Sequence, residues 1–175
     1  MIKLITLFLL SFFVFSTLGF SGSDHMPVIE GSKEFNRLKM LAGSWQGESE
    51  MGPEGKPEKI NIEYKLTSNN SAILETISPG TPHEMVSVYH DLNGKLFMTH
   101  YCALGNQPIM ELKSSDENNI FLDFAAKNNL DPNKEPHMHS LDIVFVNEDT
   151  IIQNWANDDG SGKMQTHTFK LNRVK

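Results

Sequence analysis

The side chains best suited to chemistry in this 175-residue chain are its histidines, and His83, His90, His100, His137, His139 and His167 all lie beyond residue 32. Imidazole serves both proton transfer near neutrality and metal ligation. His137 and His139 alternate, so on a strand they share a face with Leu141, Ile143 and Phe145, the set expected to point inward. His167 runs in phase with Phe169 and Leu171, and His100 with Leu96, Met98 and Cys102. Four histidines are therefore expected to look into one interior. Two chemistries are open. One is a haem or transition-metal site built on His137, His139 or His167, because His-x-His presents two donors on one side. In the other, each imidazole hydrogen-bonds a neighbour, or His137 and His139 sit at a solvated strand start after Pro136. Spacing alone does not bring distant strands together.

A second constellation surrounds Asn93-Gly94, the strongest short hairpin signal, since a type I′ turn needs positive φ at both central residues. A two-residue turn there pairs Tyr89 with Met98, Ser87 with His100 and Met85 with Cys102. Val86, Val88 and His90 then oppose Tyr101, Thr99 and Phe97 on the other face, so His90 and His100 cannot both point inward. The mixed face of Ser87, Tyr89, Met98, His100 and Cys102 is expected inside, because apolar walls with a few polar groups suit a small, partly apolar ligand. The reverse arrangement puts the valine-rich face in the core. With His139 and His167, the mixed face makes up the expected ligand-contacting set. Cys102 is the single cysteine, which excludes an internal disulfide, and it is expected to be buried and inert.

Other motifs carry less. Asp158-Asp159-Gly160-Ser161-Gly162 lacks the spaced downstream carboxylates of a calcium loop and reads as a hairpin turn. Ser44 is misplaced for a nucleophile elbow, and no helix follows it. Nothing in the sequence makes Glu75 and Glu84 converge. No Gly-rich phosphate loop is present, and no enzyme class stands out.

These residues must be held by short strands. Residues 33–40 can form a helix, capped by Ser32, with Phe35, Leu38 and Leu41 on one side. After it the pattern turns to period two. The strand segments are 44–51, 59–66, 72–77, 85–92, 95–102, 108–113, 120–125, 137–146, 150–156 and 163–172. Turn-rich links separate them, and no proline falls in a strand interior. A meander of this length must hide its edges, and closing on itself does so. The expected fold is thus all-β, a roughly ten-stranded antiparallel up-and-down barrel with a short N-terminal helix. An open two-sheet sandwich is the alternative. The long link 126–136 is expected at a barrel mouth.

A short helix followed by Gly43-Ser44-Trp45 resembles the Gly-x-Trp signature of the calycin superfamily, the lipocalins and fatty-acid-binding proteins. That resemblance implies that Trp45 closes one barrel end with an arginine across its ring, and Arg173 stands where such a partner belongs. Gly43-Ser44-Trp45-Gln46-Gly47 also resembles the opening of nitrobindins, ten-stranded haem-binding barrels, which implies His167 as a haem ligand; the middle segments differ. The stretches His83 to His90 and Thr99 to Pro108 are similar to an uncharacterised bacterial lipocalin-like family, which brings no known activity.

Met1-Ile2-Lys3 and the uncharged run Leu4 to Phe20, flanked by small residues, read as a signal peptide cut after Gly19. The alternative is an uncleaved anchor, at the short limit of about 17–25 residues for a span. The expected organisation is a signal peptide at 1–19, a flexible lead-in at 20–32 and one calycin-like barrel at 33–175, long enough to bury a core without staples. A net charge of −7 argues against nucleic acid and against anionic membranes. The sequence thus points to a periplasmic or secreted protein that binds a small molecule. The alternatives are a haem or metal redox protein and a structural or interaction module with a filled core.

Overall fold

A computed structural model describes residues 30–49 and 56–175. The signal peptide and residues 20–29 of the lead-in lie outside the described residues. Ser32 starts helix α1 (Lys33–Lys39) by accepting a hydrogen bond from the Phe35 amide at 3.1 Å. Ten strands follow: β1 (Gly43–Ser49), β2 (Glu58–Thr67), β3 (Ala72–Ile77), β4 (Met85–Leu92), β5 (Lys95–Tyr101), β6 (Ile109–Ser115), β7 (Asn119–Phe124), β8 (His137–Asn147), β9 (Thr150–Asp158) and β10 (Met164–Arg173). Each pairs antiparallel with its sequence neighbour, and β10 pairs with β1 to close the barrel. Closure removes the open edges that an exposed meander would leave. The sandwich alternative is excluded.

The closing ladder depends on small residues and on one aromatic–cation pair. Trp45 sits opposite Arg173, whose guanidinium carbon lies 4.4 Å from the ring centroid. Gly47 lets β1 and β10 approach, since a Cβ there would stand 1.8 Å from the Lys170 carbonyl oxygen. The same pair finishes the helix. Trp45 Nε1 donates to Leu41 O (2.8 Å), and the Arg173 guanidinium donates to Ala42 O (2.9 Å) and Met40 O (2.8 Å). Carbonyls at a helix end that lack intrahelical partners are thereby satisfied. At the other end of the helix the Asp91 carboxylate receives both the amide and the hydroxyl of Ser32. Arg37 donates to Asp116 O at 2.6 Å and lies 4.0 Å over Phe145. Helix α1 is thus pinned across one barrel end. Phe35, Leu38, Leu41 and Trp45, all at most 2% exposed, form its plug.

The β4–β5 hairpin has the register read from Asn93-Gly94. Ser87 faces His100 and Tyr89 faces Met98, with φ of 53° and 77° at the turn. The ladder stops one pair short of Met85 and Cys102. β5 ends at Tyr101, where the Cys102 carbonyl closes a turn with the Gly105 amide at 2.9 Å.

Candidate functional site

Because every pairing is antiparallel, links alternate between the barrel ends. The links 78–84, 102–108, 125–136 and 159–163 all lie opposite α1, at what is here called the mouth. His100 lies near the end of β5, His137 and His139 begin β8, and His167 is early in β10. All four therefore occupy the mouth half. His83 is exposed in a link. His90 faces outward, 6.1 Å from Phe97.

The hairpin face of Ser87, Tyr89, Met98 and His100 points inward, each residue at most 1% exposed. It belongs to a polar chain that crosses the barrel. Glu75 on β3, fully buried, receives Tyr64 Oη (2.7 Å) and the Gln153 amide on Oε1, and Tyr89 Oη (2.8 Å) on Oε2. Gln153 Nε2 also donates to Tyr64 Oη, and its Oε1 accepts from Trp155 Nε1 at 3.1 Å. Burial and the neighbouring Glu75 charge push both tyrosine hydroxyls well above their ordinary value, so both stay protonated. Ser87 Oγ is hydrogen-bonded with His100 Nδ1 at 3.0 Å. Burial lowers the His100 imidazole to about 4. Its ring lies 4.9 Å from that of Trp155.

Two buried polar side-chain atoms among the described residues have no partner, His100 Nε2 and Asn106 Oδ1. They are neighbours in the fold. The His100 amide bonds Pro108 O and the Cys102 amide bonds Asn106 O, both at 3.0 Å. Asn106 therefore stands one rung nearer the mouth than His100, opposite half-buried Cys102. Burial pushes the Cys102 thiol up. Cys102 thus belongs to the rim rather than to the buried lining.

The His137/His139 pair departs from simple alternation. A register shift between Met138 and Ser140 places His139 at an irregularity, so His137 pairs with Asp158 while Leu141 pairs with Trp155. An extra residue reverses the phase, and the pair does not continue the Leu141–Ile143 face. His137 is fully buried, with Nδ1 2.7 Å from Glu135 O and Nε2 3.0 Å from His139 Nδ1. The Phe124 ring lies 4.6 Å from His137 and 5.4 Å from His139. His139 is partly exposed and 3.6 Å from the Asp123 carboxylate. Burial lowers its imidazole more than Asp123 raises it.

His167 keeps the inward phase, opposite Trp155, but is only half-buried, and its Nε2 lies 2.9 Å from Asn157 Oδ1. Ligation of haem iron needs that nitrogen free, and here it is hydrogen-bonded with Asn157. Both His137 nitrogens are likewise engaged. Among the described residues, no three His, Cys, Asp or Glu side chains are grouped as a metal ion would require. As arranged, these histidines do not fit a resident haem or metal. The carboxylates of Asp158 and Asp159 are spent on the amides of Gly160, Gly162 and Ser161 in a hairpin turn. Glu84 caps Gly80 outside the barrel, away from Glu75.

Glu75, Tyr64, Gln153 and Asn106 went unassigned in the sequence. A signal existed for three of them: Ile73-x-Glu75-x-Ile77, Ile60-x-Ile62-x-Tyr64 and Ile151-x-Gln153-x-Trp155 each place a polar group in an inward apolar phase.

Taken together, the chain is a closed ten-stranded antiparallel barrel with one helical plug, a polar chain through its interior and unmet hydrogen-bonding atoms at its mouth. No family model and no curated protein matches the sequence. Solved structures match in fold. Rv2717c from M. tuberculosis superposes with a TM-score of 0.52 at 15% identity, covering 83% of this chain and 100% of that one. A DUF3598-family protein with unknown function from Nostoc punctiforme PCC 73102 gives a TM-score of 0.54 at 12% identity. That match covers 85% of this chain, which spans 51% of the Nostoc protein.

Proposed function

We propose that this protein is an exported, calycin-like binding protein that holds a small, partly apolar molecule at the barrel mouth. The supporting observation is the pair of buried atoms without partners, His100 Nε2 and Asn106 Oδ1, on one side of the β5–β6 connection. A buried polar atom left unbonded costs about 1–3 kcal/mol, and a purely structural core gains nothing from it. Trp155, Met110 and Phe124 supply apolar surface on neighbouring strands. Export is supported by the uncharged run of residues 4–20 behind Lys3.

Native mass spectrometry of the protein purified from its own organism tests the reading. The expected spectrum shows a mass above the processed chain that disappears on denaturation. The bare chain alone, across growth conditions, refutes it. One observation favours a second reading, a structural or interaction module. The mid-barrel side chains Ile73, Glu75, Tyr89, Met98 and Gln153 are fully buried. That reading gains from the same bare-chain result.

A further inference from the structure

We propose that the cleft between α1 and the links 116–118 and 148–149, at the plugged end of the barrel, is a second binding site. Its ligand is a small molecule with an apolar body and a cationic ammonium end. The site is independent of the mouth and of anything held there.

The chain's two arginines build the frame. Arg37 donates to Asp116 O and Glu117 O, which ties α1 to the first link. Arg173 donates to Met40 O, Ala42 O and, at 3.3 Å, Glu148 O, which ties the end of α1 to the second. Between the helix and the links lies a cleft of about 460 Å³, within the range of about 300–1,000 Å³ typical of small-ligand sites. Its floor is apolar, lined by Met40, Leu41 and Phe145. Leu41 is 2% exposed, whereas its neighbour Met40 is 64% exposed. A methionine is unbranched and polarisable, so one standing in solvent beside a cleft can fold over ligands of different shape.

Charge selects the ligand. Two guanidiniums and three carboxylates, those of Glu117, Glu148 and Asp149, line the cleft, on a chain of net charge −7. Both guanidiniums are committed. Arg37 lies 4.0 Å over Phe145 and Arg173 4.4 Å over Trp45, and each turns hydrogens to backbone carbonyls. Asp149 is paired with Lys175 at 2.9 Å and lies 3.7 Å from Arg173. The Glu117 and Glu148 carboxylates are exposed and have no hydrogen bond or ion pair among the described residues. The rim groups still open to a partner are therefore anionic, one on each link, beside an apolar floor. An ammonium on an apolar body complements that arrangement. An anion would meet both carboxylates and the field of an acidic chain.

The full-length chain, labelled with 13C at its methionine methyls, tests this at pH 7 and low salt. It is titrated with 1-naphthylmethylammonium, 1-naphthylmethanol and 1-naphthoate, which share a ring and differ in charge. The ammonium is expected to move the Met40 methyl signal, assigned with Met40→Leu. It should bind about fivefold more tightly than the alcohol, the worth of two exposed charge pairs, and the naphthoate more weakly than both. Glu117→Gln with Glu148→Gln should leave Tm unmoved, since both carboxylates are exposed and unpaired, and should bring the ammonium to the affinity of the alcohol. A Met40 signal unmoved by the ammonium overturns the proposal, and so do shifts confined to Met85 and Met138 at the mouth. Naphthoate binding as tightly as the ammonium would make the cleft an anion site on the remaining arginine N–H groups, and the proposal fails. An ammonium preference that survives the double substitution overturns the role of the two carboxylates.

Discussion

Replacing Arg173 by Met tests how the barrel closes. Methionine keeps an apolar stem over Trp45 and removes only the guanidinium, which lies 4.4 Å from the Trp45 ring centroid and donates to Ala42 O and Met40 O. The cation–π contact is worth about 0.5–2 kcal/mol. Charge-assisted hydrogen bonds run to about 1.5–3 kcal/mol each where water is excluded. The Arg173 side chain is 24% exposed, so water can replace much of that, and about 0.5–1 kcal/mol each is the appropriate share. The expected loss is about 1.5–4 kcal/mol, a fall in Tm of about 3–16 °C for a domain of this size.

Urea unfolding should show a lower midpoint with an unchanged slope, since the surface exposed on unfolding is the same. Trp45→Ala alone should cost about 3–5 kcal/mol, as truncations of buried aromatics do. In that background Arg173→Met should cost less by the cation–π share, which a double-mutant cycle isolates. Asp149, the solvent-facing ion partner of Arg173 at 3.7 Å, provides the control, and Asp149→Asn should leave Tm nearly unmoved. If Arg173→Met melts within about two degrees of wild type, the reasoning fails, because measured cation–π and cap energies would predict more.

Three further outcomes follow from particular atoms. Gly47→Ala puts a methyl 1.8 Å from a backbone oxygen on β10, which only backbone movement can relieve; loss of the folded barrel by circular dichroism is expected, and a native-like melt refutes the close approach. Burial holds the His100 imidazole at about 4, below its ordinary 6.5, so between those values the unfolded chain binds a proton that the folded one does not. Stability from this residue is full above pH 6.5 and drains as pH falls toward 4, by about 3 kcal/mol. His139 and His167, also lowered, add in the same direction. His100→Phe should flatten the fall in urea midpoint between pH 7 and 4.5, and an unchanged slope counts against a buried neutral imidazole. Because burial raises the Cys102 thiol, iodoacetamide should react with the folded chain more slowly than with the same chain in urea at pH 8; equal rates would place Cys102 in open solvent.

The strands were legible because their chemistry is local. Asn93-Gly94 dictates a turn and thereby a register, and the pleat then sends Ser87 and His100 to one side whatever surrounds them. The Trp45–Arg173 pair was legible through a resemblance rather than through any local rule. Alternation failed where a strand gains a residue. The irregularity at His139 reverses the phase of His137, and no turn residue at 137–141 announces it. Cys102 left the ladder because Gly105, at φ 81°, pulls the chain into a turn before Asn106. The Glu75 network was hidden for another reason. Its members come from β2, β3, β4 and β9, and their hydrogen bonds are fixed only once the barrel closes.

The two barrel ends do opposite work. At the α1 end, polar groups of the helix are satisfied: Trp45 and Arg173 cover its last carbonyls, and Asp91 holds Ser32. At the mouth, links rather than strands form the wall. Asn106 Nδ2 reaches Pro136 O across from another link, and Gly160 packs so closely on Lys134 that a Cβ would stand 2.9 Å from its carbonyl. The links 102–108, 125–136 and 159–163 thus form one tied cover over His100. Links open at lower cost than a closed ladder, because fewer buried backbone bonds must break together. The unmet polar atoms therefore sit beneath the part of the fold that can part without unzipping the barrel, while the plugged end keeps the polar chain in register.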